Sequence, residues 1–179
     1  MESLESRFGT LEEHLKTDYE KLASFAGVPF FIFPYDPVLE RKVIEEVNRL
    51  QKRLERAGLD VEKVSLGALF FGTLKAKGYL EKSFEIESKD RGALKRGIVS
   101  VVKDSLVKDL KGIASDGRKV ILIVRAGAIF PFFRTSSILS DLEGSVKSPL
   151  VVFYPGRYED KKLYFLNETE GYYYRAMIL

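Results

Sequence analysis

The stretch that decides the fold is Lys119-Val-Ile-Leu-Ile-Val-Arg125. Its interior consists of Val, Ile and Leu without interruption, which is typical of a central strand covered by helices on both faces. Ala126-Gly127-Ala128 then turns the chain. Runs of the same kind at residues 28–33 and 150–154 predict two further buried strands, and the turn signal Pro155-Gly156 is expected to end the second.

Segments with helical periodicity separate these strands. Apolar residues spaced three and four apart predict helices over residues 3–25, 37–57, 66–78, 79–87, 90–114 and 131–142, the second of them capped by Asp36. Weaker strand patterns occupy residues 61–66, 163–166 and 173–179. The alternation predicts an α/β fold, a three-layer sandwich with a mainly parallel sheet of about five to six strands, helices on both faces and room for an antiparallel edge at the C-terminal end.

Length and composition set the class of protein. The chain has 179 residues, of which 45% are hydrophobic and 31% charged, so residues 1–179 are expected to form a single domain. No stretch reaches the ~18 consecutive apolar residues of a membrane span, and the N-terminal segment has no signal-peptide pattern, so we expect a cytoplasmic protein. The scarcity of Cys, Trp, Met, Gln and Asn beside abundant Lys and Glu predicts a thermophilic source.

The residues that the chain lacks exclude several kinds of chemistry. It has no cysteine, which rules out disulfides, thiolate catalysis and Cys-ligated zinc. Its single histidine, His14, rules out a multi-histidine metal site and disfavours a Ser-His-Asp triad. The P-loop, the dinucleotide-binding Gly-x-Gly-x-x-Gly and the nucleophile elbow Gly-x-Ser-x-Gly do not occur. We therefore predict no catalytic residue, no metal and no cofactor.

Three loops carry the candidate site, because ligands of parallel α/β sheets bind at the carboxyl ends of the strands. These loops follow the predicted strands near residues 34, 125 and 154, and they combine aromatic side chains, arginines and rigid turns. They form either a pocket or peptide-docking edge, in which an arginine binds a carboxylate or phosphate, or plain chain reversals. The candidate interaction or anion-binding residues are Tyr35, Asp36, Arg125, Gly127, Phe130, Arg134, Tyr154, Gly156, Arg157, Tyr158 and Arg175.

Two further features admit a structural and a functional interpretation. Arg134, beside two phenylalanines at a helix start, either forms a structural ion pair with Asp36 or Glu170 or binds an external anion, and Arg175 has the same two options. Segment 89–119 has nine Lys or Arg against four acids, and it is either a solvated helix face or a contact for nucleic-acid phosphate.

The succession of motifs resembles a known family. Residues 29–37 (PFFIFPYDP), 121–134 (ILIVRAGAIFPFFR) and 150–158 (LVVFYPGRY), with Tyr-Tyr-Arg-Ala at 173–176, are similar to the BrxB family, a small component of bacteriophage exclusion (BREX) systems. The resemblance spans nearly the whole chain. It implies a cytoplasmic antiviral role beside a large P-loop ATPase, a DNA methyltransferase and a PglZ-type phosphatase-superfamily protein. The family has no established catalytic residues, so the resemblance transfers none.

Three functions fit these observations. The leading hypothesis is a non-catalytic scaffold or adaptor that binds other defence proteins through the strand-end loops and the C-terminal aromatic region, since six of the nine tyrosines lie between residues 154 and 174. One alternative is a degenerate nucleotide-binding or hydrolytic domain with its site near residues 127–131. The other is an accessory protein that binds DNA directly through segment 89–119. No membrane partner is expected.

Overall fold

The computed structural model describes residues 3–17, 30–90, 92–115, 117–170 and 176–179. In chain order the helices are α1 (Leu4–Thr17), α2 (Glu40–Arg56), α3 (Leu66–Ala76), α4 (Tyr79–Lys89), α5 (Ala93–Ile113) and α6 (Thr135–Leu142). The strands are β1 (Phe30–Tyr35), β2 (Asp60–Ser65), β3 (Lys119–Val124), β4 (Leu150–Glu159), β5 (Lys162–Phe165), β6 (Thr169–Glu170) and β7 (Met177–Ile178). None of the described helices is both long and apolar enough to cross a membrane.

Parallel strands build the main sheet, in the order β2-β3-β4-β1-β7. β4 lies at the centre, and its pairing with β1 extends from Phe30 opposite Leu150 to Tyr35 opposite Pro155. Parallel strands need long crossover connections, and here helices return the chain across the faces of the sheet between one strand and the next. The predicted α/β sandwich with a mainly parallel sheet is confirmed.

The central strands are buried on both faces, as their unbroken apolar runs predict. Ile121 and Ile123 of β3 belong to a core that includes the buried sides of α3, α5 and α6. Val120 and Leu122 of the same strand belong to a second core, which α1 and α2 cover. Successive side chains of a strand point to opposite faces, so a continuous apolar run contributes to both cores. Helices, sheet and helices therefore form three layers.

The start of α2 follows from its sequence. Pro37–Leu39 forms a short 3₁₀ turn before the helix, and the Asp36 carboxylate caps that turn by accepting a hydrogen bond from the Val38 amide at 3.1 Å. Proline at the first position suits the turn because its missing N–H would have no partner there. The predicted capping by Asp36 is confirmed, with the cap acting on the 3₁₀ turn that leads into α2.

The predicted turn at Pro155-Gly156 is wrong. β4 continues through both residues to Glu159 and pairs antiparallel with β5, from Gly156 opposite Phe165 to Glu159 opposite Lys162. The chain reverses beyond that point, at residues 160 and 161, which both have positive φ. Proline is compatible with the strand because it still offers a carbonyl, and the Pro155 oxygen accepts a hydrogen bond from the Leu166 amide at 2.9 Å.

Only one of the two last predicted strands forms the antiparallel edge that was predicted for the C-terminal end. β5 supplies the antiparallel pairing, whereas β7 lies beside β1 in parallel. Residues 171–175, which include part of the last predicted strand, lie outside the described residues, as do residues 18–29 between α1 and β1. α6 begins at Thr135, four residues later than predicted, because a 3₁₀ turn at Ala126–Ile129 and a further turn precede it.

Candidate functional site

A cleft of about 680 Å³ lies at the carboxyl ends of β1, β4 and β7. Five of the predicted site residues line it: Tyr35, Asp36, Gly156, Arg157 and Tyr158. Its remaining walls come from the start of α1, from β1 and Leu39, from Asn167 and from the end of β7. The sequence places these residues far apart, and the parallel pairing of β1 with β4 brings them to one edge of the sheet. We call this feature the strand-end cleft.

Tyr35 forms part of the inner wall of the strand-end cleft. Its side chain is 3% exposed, and its hydroxyl donates a hydrogen bond to the Glu40 carboxylate at the start of α2. Burial, with a further contribution from the Glu40 carboxylate, raises the pKa of Tyr35 far above its usual value. The hydroxyl is therefore a neutral donor that joins β1 to α2, and it is not poised to act as a base.

Gly156 determines the shape of the wall where β4 passes β5. Its φ of +155° lies outside the range that residues with a side chain commonly adopt, and a Cβ atom on it would lie 2.0 Å from the Tyr164 carbonyl oxygen. Only glycine permits this close approach of the two strands. The residues that follow it in β4 leave the main sheet and form the outer wall of the cleft.

Arg157 is held in place on that outer wall. Its Nε donates to the Glu159 carboxylate at 3.1 Å, and its Nη1 donates to the Asn167 carbonyl at 2.6 Å. The guanidinium also lies 4.6 Å from the centre of the Tyr164 ring, in a cation–π contact. Tyr158, the next residue, is 46% exposed. Arg157 is therefore a fixed cation of this wall, and the exposed ring of Tyr158 extends from the other face of the strand.

Arg7 is a cleft residue that the sequence analysis missed. Its Nη2 donates to the Pro34 carbonyl at 2.6 Å and to the Leu179 oxygen at 2.9 Å, and its guanidinium lies 4.3 Å from the centre of the Phe33 ring. These contacts join α1 to β1 and β7. A signal was present, since Arg7 lies on the apolar side of the helical pattern, beside Phe8 and four residues before Leu11.

Comparison with known proteins identifies the family. The family model described as "BREX protein BrxB" matches residues 62–179, which is more than half of the chain. The chain belongs to the BrxB family. It is 29% identical over 160 residues to the BREX protein BrxB of Bacillus cereus (strain H3081.97), covering 85% of this chain and 83% of the relative. The BREX protein BrxB of Escherichia coli O9:H4 (strain HS) is 25% identical over 187 residues, covering 98% of this chain and 91% of the relative. No solved structure matches.

The BrxB match covers one wall of the strand-end cleft. Residues 62–179 include the outer wall from Gly156 to Tyr158, whereas Arg7, Tyr35 and Asp36 precede the matched region. Family membership makes the chain a component of a BREX system and supports a role in antiviral defence. The residues of the cleft thus come from both the matched and the unmatched part of this BrxB-family chain.

Four predicted residues lie outside the lining of the cleft, three of them after the end of β3 and the fourth, Tyr154, within β4. Arg125 is exposed and has a φ of +57°. Gly127 faces Pro155 closely, since a Cβ on it would lie 3.4 Å from the proline ring. Phe130 and Tyr154 both pack on Phe165, with ring centres 5.4 Å apart in each case. Tyr154 is buried in the core, so its role is packing, whereas Phe130 is 41% exposed.

The two remaining predicted arginines are not part of the described cleft. Arg134 immediately precedes α6 and is exposed, and Asp36 is exposed as well. The assignment of Arg134 to a structural ion pair or to an external anion stays a prediction. The side chain of Glu170 and all of Arg175 lie outside the described residues, and the predictions about them stay predictions.

The basic segment 89–119 is partly neutralised by neighbouring carboxylates. Lys89 pairs with Glu85 at 2.7 Å, Lys103 with Asp141 at 2.6 Å, and Lys119 with Glu62 at 2.9 Å. These pairs reduce the positive charge that the segment offers to a polyanion. The observation favours the interpretation of this segment as a solvated helix face.

Proposed function

We propose that this BrxB-family chain is a non-catalytic adaptor that binds another protein of its BREX system at the strand-end cleft. The observation that carries the proposal is the convergence of five predicted site residues on one cleft of about 680 Å³. Exposed apolar side chains accompany them, with Val38 84%, Tyr158 46% and Leu39 37% exposed. Apolar and aromatic groups exposed beside a fixed arginine are typical of protein interfaces.

The polar groups of the cleft support a binding role over a chemical one. The Tyr35 hydroxyl is bonded to Glu40, the Asp36 carboxylate caps a turn, and Arg157 is bonded to Glu159. Each group thereby stabilises the local backbone or a neighbouring side chain. Such groups define a surface, and the chemistry of the defence system is assigned to its other components. The partners we consider are the large P-loop ATPase, the DNA methyltransferase and the PglZ-type protein, and the adaptor is expected to act with them in the cytoplasm.

The alternative of a nucleotide site at residues 127–131 has less support. Ala126 and Ile129 of the 3₁₀ turn are buried, and Gly127 packs against Pro155 and Leu166. The turn thus uses its side chains for packing on β4 and on the loop after β5. Binding of phosphate or a nucleotide at this turn would favour the alternative.

Co-purification tests the adaptor proposal. The tagged chain is expressed with the other proteins of its own BREX operon, as wild type, as Arg157→Glu and as Arg56→Glu. Arg56 ends α2, which runs from the carboxyl to the amino ends of the strands, so Arg56→Glu makes the same charge change at the opposite edge of the sheet. We expect Arg157→Glu to lose the partner and Arg56→Glu to keep it, with the melting temperatures of both close to wild type because both arginines are exposed.

Two results would contradict the adaptor proposal. One is retention of every partner by Arg157→Glu. The other is turnover of a nucleotide or phosphodiester by the purified chain, lost when one residue of the cleft is changed.

A further inference from the structure

A second exposed apolar surface lies outside the strand-end cleft, where α3 packs against the turn after β3. Phe71 of α3 is 50% exposed, and Phe130 of the turn is 41% exposed. The rings of Phe71 and Phe132 each lie 5.3 Å from the buried ring of Phe70, so they flank the same core residue. We call this surface the β3-end patch, and it consists of Ala68, Phe71, Arg125, Phe130, Pro131 and Phe132.

The uncharged part of the β3-end patch is unusual for this chain. Charged residues make up 31% of the sequence, yet residues 65–72 and 126–133, which supply the uncharged part, contain none. The two charged residues that flank the second segment, Arg125 and Arg134, are both exposed arginines. An apolar surface that stays exposed in a chain so rich in charge indicates a contact with another protein.

Arg125 is the cation of the patch, and the fold does not use its guanidinium. The side chain is exposed and forms no hydrogen bond or ion pair with any described residue. Its backbone has a φ of +57°, a conformation that glycine or asparagine adopts with less strain. A Cβ on Gly67 would lie 3.9 Å from the Arg125 Cβ, and Phe71 follows Gly67 by one helical turn. The cation therefore lies on the side of α3 that exposes Phe71.

Charge distinguishes a second copy of the chain from a different protein as the occupant of the patch. A symmetric dimer would bring the same patch of both copies together. Arg125 would then meet only positive charge, because residues 65–72 and 126–133 offer no carboxylate, and like charges oppose association. A different protein can place a carboxylate against Arg125 and apolar side chains against the phenylalanines. Arginine and aromatic residues are typical of the energetic centres of such interfaces.

We infer that the β3-end patch binds a further protein of the BREX system, whose contact surface is apolar and includes a carboxylate that pairs with Arg125. The patch shares no residue with the lining of the strand-end cleft, so the inference goes beyond the proposed site. An adaptor that connects two proteins needs two such surfaces.

Binding to separately purified proteins of the BREX operon tests the inference. Each of these proteins is immobilised, and the full chain is passed over it as wild type, Phe71→Ser, Phe71→Leu, Arg125→Asn and Arg56→Asn. We expect wild type to bind one of them, and Phe71→Ser and Arg125→Asn to weaken that binding by about tenfold or more.

Two of these variants are matched controls. Phe71→Leu keeps an apolar side chain, and Arg56→Asn removes an exposed arginine at the opposite edge of the sheet, so both are expected to bind within about twofold of wild type. Arg125→Asn is expected to fold normally because asparagine tolerates positive φ. Thermal melting of each variant checks that the fold is intact.

Carbodiimide cross-linking locates the carboxylate of the partner. Arg125→Lys replaces the guanidinium by a primary amine, which a carbodiimide joins to a contacting carboxylate through an amide bond. We expect a cross-link from residue 125 to an Asp or Glu of the partner, identified by mass spectrometry of the digested complex. Wild type is expected to form none from this residue, because a guanidinium does not react in this way.

Four outcomes overturn the inference. Wild type binds none of the operon's proteins; Phe71→Ser and Arg125→Asn bind as wild type does; the cross-link from residue 125 is absent from a complex that forms; or the chain sediments as a dimer that Phe71→Ser dissociates, which makes a second copy the occupant.

Failure of this inference is distinguishable from failure of the adaptor site. If the patch variants bind as wild type does while Arg157→Glu loses its partner, the strand-end cleft stands and the β3-end patch is wrong. If Arg157→Glu keeps every partner while Phe71→Ser and Arg125→Asn lose one, the cleft is wrong and the patch stands.

Discussion

At the residue scale, Gly156 has no room for a side chain. An alanine Cβ there would lie 2.0 Å from a backbone oxygen of β5, which cannot move without breaking the β4–β5 pairing. We expect Gly156→Ala to lower the free energy of unfolding by about 3 kcal/mol or more, near the upper end of single-site effects. Chemical denaturation followed by circular dichroism measures the change.

A second glycine is the control for this prediction. Gly72 lies in α3 with no atom within 4 Å of an added Cβ. Gly72→Ala is therefore expected to stabilise the protein by roughly 0.5–1 kcal/mol, because alanine restricts the unfolded chain and favours the helix. If both substitutions changed the free energy of unfolding equally, the close approach of β4 and β5 would not be what excludes a side chain at Gly156.

At the element scale, an ion-pair network joins α1 to α2. Glu12 of α1 lies 2.6 Å from Arg53 of α2 and 2.5 Å from Lys16 on its own helix. Burial alone would raise the pKa of Glu12, but the hydrogen bonds and charges of Lys16 and Arg53 together lower it below the usual value of 4.5. A carboxyl whose pKa is lower in the folded state stabilises the fold when ionised, so this contribution is present above pH 4.5 and disappears as the pH falls through the lowered value.

Glu12→Gln tests the role of this network. At pH 7 the substitution is expected to cost about 1 kcal/mol of stability, since Arg53 is partly exposed and solvent weakens the pair. The difference from wild type should shrink as the pH is lowered below 4.5, measured as melting temperature against pH.

The exposed pair of Arg41 and Glu45 provides the matched control for Glu12→Gln. Its atoms are 3.3 Å apart on the outside of α2, and Glu45→Gln is expected to change stability by less than about 0.5 kcal/mol. A Glu12→Gln effect that does not vary with pH would mean that Glu12 acts through packing and not through its charge.

At the scale of the whole molecule, charge argues against DNA as the main partner. The formal net charge is +3, and among the described residues of segment 89–119, Lys89, Lys103 and Lys119 are paired with carboxylates. We expect binding to a short DNA duplex no tighter than roughly 10 µM at physiological salt, within the range of non-specific association. Fluorescence anisotropy at several salt concentrations measures it.

Substitution on α5 completes the DNA measurement. Lys108→Glu combined with Lys111→Glu reverses two charges that line one groove beside α6. The double variant is expected to bind DNA as wild type does. Submicromolar affinity of wild type, with a steep salt dependence that the double variant abolishes, would favour the accessory DNA-binding function over the adaptor.

The architecture of the whole molecule was largely predictable because its signals are local. The uninterrupted run of β3 indicates a strand buried on both faces, and the spacing of Val43, Val47, Leu50 and Leu54 indicates the buried side of α2. The carboxyl-end rule also predicted that the loops after β1 and β4 meet at one edge of the sheet, because it depends on strand direction alone. Five of the eleven candidate residues consequently meet in one cleft.

The amino-acid sequence by itself determined which segments are strands and helices, and which edge of the sheet holds the loops, since apolar periodicity and the direction of parallel strands require no knowledge of distant residues. The tertiary structure alone decided that β4 continues through Pro155 and Gly156, and that Arg7 joins α1 to β1 and β7. Both depend on partners far away in the chain. Pro155 and Gly156 adopt strand conformation because β1 pairs with the first and β5 with the second. Arg7 lines the cleft because the fold brings the oxygens that accept its hydrogen bonds close to α1.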